Sequence, residues 1–471
     1  MRGRRLVAGV VALCFGSACA VGPNYVRPPV ATPDDYRGHV TPPEAASIAD
    51  LPWWEVFDDD VLQKLVLEAL NANYDLQTAV FRVEQARALV GVAQAPFYPQ
   101  IQYQGNSGRQ HQPELLSVPD ATFNYFYGVF SLAWELDVWG RIRRSSEAAQ
   151  QSLLATEEFR RGVLLSLVTG VASAYLTLLE LDRELEIARD TAKSFRETRD
   201  LFQRRFLGGV GNKLQVSRAE AALAQTEATI PDLERRIVAQ ENVISVLLGR
   251  SPGPIPRGKP MSERPAPPPT PPGLPSTLLE RRPDVLQAEH GIASANAEVG
   301  VAIANFFPRI GLTALYGAQS TDLSDLVKGA FSVWNVAGNV TGPVFQGFAL
   351  LEQYRAQVAG WEQTKAQYEQ TVITAFSEVS DALTAQTKFT EARAAQERTV
   401  AAYQESVRLS LTRYNSGLAT YFEVLEAQQQ LYPAEISLAQ LQLSQLLTVV
   451  TLYRSLGGGW QLPDEQWTQA P

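Results

Sequence analysis

The sequence contains two copies of one unit, and this duplication limits the folds that the chain can adopt. "FYPQI" at Phe97 returns as "FFPRI" at Phe306, and "RFLGGVG" at Arg205 returns as "RYNSGLA" at Arg413. The offset is about 208 residues, and the two copies cover most of the chain. Length alone would suggest two or three domains. The duplication indicates two tandem units instead.

Each copy contains a long stretch with a seven-residue apolar period and no proline. The first runs from Gly140 to about Leu207, and the second runs from near Gly347 to about Tyr414. At 1.5 Å per residue, each would form a helix on the order of 100 Å long. A glycine break and a second periodic stretch follow each one, which predicts two helical hairpins. The apolar seam of the first long helix includes Leu164, Leu167, Val171, Ala174 and Leu178.

Ahead of each long helix the sequence changes to aromatic, Val, Thr and Gly residues. "IQYQGNSG" and "FNYFYGVFSLAWELDVW" precede the first, and "RIGLTALYGAQS" and "FSVWNVAGNVTGPVF" precede the second. These stretches predict four strands, and the predicted fold class is mostly α with a small β part. Two short strand pairs make a poor independent sheet, so we expect them to complete a barrel with other chains. A small soluble sheet capping a helical bundle is the alternative.

The N-terminus has the layout of a secretory signal. "MRGRRLVAGVVALCFGSAC" runs from basic residues through a short apolar stretch to small residues before Cys19. The apolar stretch is shorter than the roughly 20 residues that a membrane-spanning helix needs, and we expect no later stretch to qualify. An exported chain of this kind would lie in a membrane only as a barrel.

Cys19 is the expected site of a covalent lipid. "GSAC" resembles a bacterial lipobox, although Gly16 replaces the usual leucine-like residue. The alternative is ordinary cleavage that leaves a free thiol. Since Cys14 lies in the signal segment, the mature chain keeps one cysteine and has no internal disulfide. No other cofactor is expected.

Composition and motifs argue against nucleic-acid binding and against an enzyme. The net charge is -9 and the pI is near 5.2, whereas a nucleic-acid binder normally has a basic face. The three histidines lack partners at metal-ligand spacing, and no phosphate-binding loop, dinucleotide fingerprint or nucleophile elbow is present.

The chain is expected to divide into six segments. They are a signal peptide over 1–18, a lipidated extended segment over 19–60, a first repeat over 61–249, a proline-rich linker over 250–275, a second repeat over 276–457, and a tail over 458–471.

Four stretches resemble the outer-membrane factors of bacterial tripartite efflux pumps, the TolC-like family, and in particular its lipoprotein branch. They are "CAVGPNYVRPPV" from Cys19, "LPWWEVFDDDVLQKLVLEALNANYDLQTA" from Leu51, "GLPSTLLERRPDVLQAEH" from Gly273, and the repeated hairpins. The resemblance implies a homotrimer with a twelve-stranded outer-membrane barrel, continued by a helical tunnel in the periplasm. It implies a passive exit duct, with a periplasmic adaptor and an inner-membrane pump as partners.

"LLERRPDV" is the most specific of these motifs. It contains Arg281, Arg282, Pro283 and Asp284. We expect these residues to have a structural role in the belt around the helices, with solvated arginines as the alternative. Pro283 suits the first position of a helix.

By resemblance, the two glycine breaks are turns at the periplasmic tip that dock the adaptor. The residues concerned are Arg205, Gly208 and Gly209 in the first turn, and Arg413 and Gly417 in the second. Plain helical hairpin chemistry also explains the glycines, and both interpretations can hold together.

The resemblance also places a gate just after the second turn. Glu423 and Glu426 match acidic constriction residues, and Phe422 matches an apolar gate residue in some members. Three chains would bring six carboxylates together, so some should have raised pKa values or hold cations. The alternative is two solvated glutamates in a first helical turn. Relatives can carry an acidic and a basic residue where this chain has Gln215 and Ala419, so a salt bridge between these two positions is not expected to lock the gate. Closure is therefore expected to depend on packing by Phe422 and Tyr414.

A periplasmic coiled-coil scaffold lipoprotein without a pore is the main functional alternative. It would use the same long helices, and it would remain a soluble monomer without detergent.

Overall fold

The structure is a computed structural model that describes residues 20–33, 35–37, 47–113, 121–264, 272–273 and 275–468. The chain divides into two compact units, each assembled from three stretches. Unit 1 comprises Met1–Pro29, Phe81–Glu157 and Gln287–Gln370, and unit 2 comprises Val30–Val80, Glu158–Leu286 and Thr371–Pro471. Each unit contains parts of both sequence copies.

Helices dominate the described residues, so the predicted fold class, mostly α with a small β part, is confirmed. In chain order they are α1 (Trp53–Val56), α2 (Asp60–Ala72), α3 (Tyr74–Gln94), α4 (Arg141–Leu207), α5 (Lys213–Leu247), α6 (Leu278–Arg281), α7 (Pro283–Ala304), α8 (Ala349–Asn415) and α9 (Tyr421–Ser455).

The two long helices have nearly the bounds that the sequence predicts. Helices α4 and α8 each contain 67 residues. Their partners after the turns, α5 and α9, each contain 35 residues and continue through Pro231 and Pro433. The predicted seam of α4 is buried. The seven-residue apolar period therefore corresponds to a face that packs inside the protein.

The four predicted strands form one antiparallel sheet in unit 1. They are β1 (Gln100–Gln112), β2 (Ala121–Leu136), β3 (Arg309–Ser320) and β4 (Ser332–Thr341), and they pair in that order. Among the described residues, the outer edges of β1 and β4 have no strand partner. The sheet joins strands from both sequence copies, because β2 pairs with β3.

The two faces of this sheet differ in polarity. Directly paired residues share a face, and one aromatic row crosses all four strands: Tyr103, Phe130, Tyr316 and Trp334. A second apolar row on the same face is Ile101, Leu132, Ala314 and Val336. The opposite face carries more polar side chains, and its row Gln102, Ser131, Leu315 and Asn335 contains three polar residues and one leucine. All four aromatic residues of the first row are more than 60% exposed in the single chain.

The expectation that no later stretch is long and apolar enough to cross a membrane is wrong, because two helices have the required length and hydropathy. Helices α4 and α9 each contain an 18-residue window that meets this test. The window in α4 is 67% buried inside the protein. Length and composition alone do not place either helix in a membrane, because the buried core helix of a soluble protein passes the same test.

A pair of neighbouring acidic side chains of α4 is buried deep in unit 2. Glu180 and Glu184 are each 3% exposed. Glu184 accepts hydrogen bonds from Arg236 of α5 at 3.2 Å and from Gln440 of α9 at 2.8 Å. Burial, followed by the hydrogen bond with Glu184, raises the pKa of Glu180 from 4.5 to about 8. Burial therefore favours the protonated form of Glu180, which can donate a hydrogen bond to Glu184.

Candidate functional site

The first hairpin turn connects α4 to α5. The backbone N–H of Val210 donates to the carbonyl of Arg205 at 3.0 Å. Gly209 has a φ of +76°, the left-handed conformation that ends many helices and that glycine adopts without strain. Asn212 then caps α5, because its side-chain oxygen accepts the N–H of Leu214 at 2.8 Å.

The second turn, between α8 and α9, repeats this geometry. The N–H of Leu418 donates to the carbonyl of Arg413 at 2.9 Å, and Gly417 has a φ of +74°. The guanidinium of Arg413 donates to the carbonyl of Leu418 at 3.3 Å. Both breaks are thus ordered turns with matching backbone hydrogen bonds.

Gln215 and Glu423 occupy equivalent positions in the two hairpins. The side chain of Gln215 accepts the backbone N–H of Asn212 at 3.4 Å, and that of Glu423 accepts the N–H of Thr420 at 3.3 Å. Each completes a capping box. The sequence signals for these caps are "NKLQ" and "TYFE", and the predicted roles of Gln215 and Glu423 did not include capping. Because Gln215 performs the same task, capping does not require the charge of Glu423.

An aromatic cluster joins the two hairpins near the turns. The rings of Phe202 and Tyr421 lie 3.9 Å apart, and Tyr414 packs edge-on against Phe202 at 5.8 Å. The guanidinium of Arg205 lies over the ring of Tyr414 and donates to its hydroxyl. Phe202 and Tyr421 are buried. Arg205 and Tyr414, which the sequence places in different hairpins, are thus in contact.

The proposed gate residues are divided between two environments. Tyr414 lies partly buried in the aromatic cluster, whereas Glu423 and Glu426 are exposed on the first turns of α9. Phe422 is 56% exposed. A ring of these side chains would form between copies of the chain, so the predicted constriction stays a prediction.

Apolar side chains are exposed at both turns. At the offset of 208 residues, Val210 corresponds to Leu418 and Leu214 corresponds to Phe422, and each is more than half exposed. The turn glycines beside them, Gly208, Gly209 and Gly417, are also exposed. The sequence signal for this pattern is the apolar residue that both copies carry at each of these two positions.

Arg282 connects three separate segments of unit 2. Its guanidinium binds both carboxylate oxygens of Asp284, at 3.0 and 2.7 Å. It also donates to Glu378 of α8 at 2.7 Å and to the carbonyl of Ser455 at 3.0 Å. Burial lowers the pKa of Arg282, but its bonds to Asp284 and Glu378 outweigh burial and keep the group charged.

The neighbouring motif residues also make packing contacts. Arg281 pairs with Asp50 at 3.1 Å, and its guanidinium lies 4.9 Å from the centre of the Trp460 ring. Pro283 is the first residue of α7, as the sequence predicts. Cys19 lies outside the described residues, which begin at its neighbour Ala20.

A family model described as "Outer membrane efflux protein" matches residues 65–250 and 274–458. The chain is 31% identical to CusC, a cation efflux system protein of Escherichia coli, over 97% of this chain and 99% of CusC. It is 34% identical to TtgC, a toluene efflux pump outer membrane protein of Pseudomonas putida, over 97% and 95%. It is 32% identical to SilC, a probable outer membrane lipoprotein of Salmonella typhimurium, over 94% and 95%.

Solved structures agree with these matches. A crystal structure of CusC superposes with a TM-score of 0.84 at 30% identity, covering 94% of this chain and all of that chain. The open state of the MtrE outer membrane channel of Neisseria gonorrhoeae superposes with a TM-score of 0.84 at 29% identity, covering 94% and 99%. The chain therefore belongs to the outer membrane efflux protein family, and it is an outer-membrane efflux channel rather than an enzyme or a scaffold without a pore.

Proposed function

We propose that three copies of this chain form one twelve-stranded barrel, and that this barrel is the exit duct of a tripartite efflux system. The observation that carries the proposal is the sheet of unit 1, whose apolar face is exposed and whose edge strands are unpaired among the described residues. In lipid every backbone polar group must be paired, so a sheet can span a membrane only when its edges close. Pairing β4 of one copy with β1 of the next closes them.

The opposite face of the sheet suits an aqueous lumen. Its rows carry amide and hydroxyl side chains from β1, β3 and β4, including Gln100, Gln102, Thr313 and Asn335. Alternation of apolar and polar residues is typical of membrane barrels with water inside. The same face also carries Glu135 and Arg309 near one end of the strands.

The exposed turns are the proposed docking surface for a periplasmic adaptor, and through it for an inner-membrane pump. Arg205, Arg413 and the turn glycines lie beside exposed apolar residues in both hairpins. Three chains would present six such turns. Relatives of similar identity are named for cations and for toluene, which favours a passive duct whose cargo is chosen by the pump.

We also propose that Cys19 carries a covalent lipid, such as palmitate. The "GSAC" segment and the likeness to SilC support this. Cells fed labelled palmitate should incorporate it into the wild-type chain and into Cys14→Ser, but not into Cys19→Ser. Label that persists in Cys19→Ser would contradict the assignment.

The proposed gate can be tested by removing charge while keeping the helix cap. Glu423→Gln combined with Glu426→Gln preserves the capping box, because glutamine already caps the first hairpin. If a ring of carboxylates narrows or electrostatically obstructs the duct, the double variant should raise single-channel conductance in planar bilayers several-fold.

A matched control removes the same charge from the first hairpin. Glu220→Gln with Glu227→Gln alters two exposed carboxylates that pair with Arg199 and Arg196, and conductance should stay at the wild-type value. Equal conductance in both double variants, with normal trimers, would reject the gate. Wild-type protein that stays a soluble monomer without detergent and conducts no ions would reject the duct itself.

A further inference from the structure

The N-terminal arm, defined here as residues 20–29, follows the proposed lipid site directly and packs against the rest of unit 1. The backbone N–H of Val21 donates to the carbonyl of Trp139 at 3.0 Å. Ala20 lies against Gly140, since a Cβ built on Gly140 would fall 2.6 Å from the Ala20 Cα. The arm therefore begins at the junction between β2 and α4.

Arg144 holds this arm with three hydrogen bonds. Its guanidinium donates to the side chain of Asn24 at 2.7 Å and to the carbonyls of Val21 and Gly22 at 3.3 Å each. The Arg144 side chain is only 4% exposed, and it also pairs with Glu147 at 2.8 Å. A buried arginine whose donors face backbone carbonyls is a specific dock for one extended segment.

Close backbone contact fixes the same part of the arm. Gly22 has a φ of +99°, and a Cβ there would fall 2.7 Å from the Cα of Gly300 in α7. A Cβ on Gly300 would in turn fall 2.9 Å from Arg144. Both positions require glycine, because a side chain at either one would separate the arm from α7 or displace the arginine.

A second attachment lies a few residues farther along. Glu289 of α7 accepts a hydrogen bond from the hydroxyl of Tyr25 at 3.2 Å and pairs with Arg27 at 2.6 Å. The arm is thus attached at two places within ten residues of Cys19. A segment that served only as a flexible linker would not need these contacts.

The junction that receives the arm has the features of a membrane interface. The rings of Trp139 and Phe307 stack at 4.8 Å, and the Trp139 indole donates to the carbonyl of Pro308 at 2.7 Å. Trp134, near the end of β2, donates to the carbonyl of Phe97 at 2.9 Å. Tryptophan with an apolar ring and a satisfied N–H is typical of the aromatic girdles of membrane barrels.

We propose that residues 20–29 are a docked strap that fixes the lipid of Cys19 at the level of this aromatic junction, with Arg144 as its positioning residue. The inference rests on the proposed lipidation. A fixed strap places the acyl chains beside the ends of the strands, so that anchor and barrel enter the same leaflet together. An undocked arm would let the anchor insert away from the barrel.

The first test measures docking of the arm in the full-length protein in membranes. Chymotrypsin cuts after Tyr25, and N-terminal sequencing detects a chain that begins at Val26. Arg144→Gln should speed this cleavage by about tenfold or more, because each hydrogen bond to a charged group is worth roughly that factor. Arg141→Gln is the matched control, since Arg141 lies in the same helical turn but pairs with Glu135. Equal cleavage rates in both variants would overturn the strap.

The second test measures whether docking acts through the anchor. Arg144→Gln should lower the yield of heat-stable trimers in the outer membrane when Cys19 is present, and it should have little further effect in the Cys19→Ser background. Equal losses in both backgrounds, or no loss in either, would overturn the positioning role. Palmitate labelling is read separately, so failure of lipidation and failure of the strap give different results.

Discussion

Replacing Arg282 with methionine is expected to destabilise the folded protein by about 3 kcal/mol, as breaking a buried ion pair does. Methionine fills similar space without charge. The change removes the bonds to Asp284, Glu378 and the Ser455 carbonyl. The two carboxylates are partly exposed and can regain water, which places the loss at the lower end of the usual range. The measurement is the free energy or midpoint of unfolding in detergent.

Arg183→Met is the matched control for this prediction. Arg183 pairs with Glu186 on the surface of α4, and both side chains are substantially exposed. Its loss should cost about 0.5 kcal/mol or less. If the two methionine variants are equally stable, Arg282 does not hold its three segments together.

Replacing Glu180 with glutamine is expected to flatten the dependence of stability on pH. The pKa of Glu180 is raised by burial to about 8 in the folded chain, against 4.5 for an ordinary glutamate. Between these values the unfolded chain has lost a proton that the folded chain keeps. Stability contributed by this group therefore falls as pH rises from about 4.5 to about 8, and then levels off. Glutamine stays neutral and can still donate to Glu184.

The measurement compares unfolding midpoints from pH 5 to pH 9. Glu180→Gln should gain on the wild type steadily as pH rises, whereas Glu186→Gln, on an exposed part of the same helix, should follow the wild-type curve. Parallel curves for wild type and Glu180→Gln would mean that Glu180 is ionised in the folded protein across this range.

Much of the secondary structure could be predicted because it depends on neighbours in sequence. The bounds of α4 and α8, and all four strands, follow from apolar period, composition and the absence of proline. The turn glycines Gly209 and Gly417 were also predictable, since an apolar period that stops at glycine is typical of a helix end.

The site could be predicted only in part. The sequence and its family resemblance located the turns and their acidic residues, but they did not reveal that Arg205 of one hairpin binds Tyr414 of the other. The capping role of Glu423 can be predicted from "TYFE", in which a glutamate follows a threonine three residues later, but the family resemblance indicates only a charged constriction. That role is why glutamine, rather than alanine, is the informative replacement.

The sequence by itself determined the duplication, the long helices, the hairpin turns, the strand pairs and the family. Only the tertiary structure decided which distant groups meet. Arg282 binds partners 96 and 173 residues away, and the aromatic row on the sheet depends on the register of four strands from both copies. Local structure follows from spacing within a few residues. These contacts depend instead on how separate helices and strands pack, which local spacing does not specify.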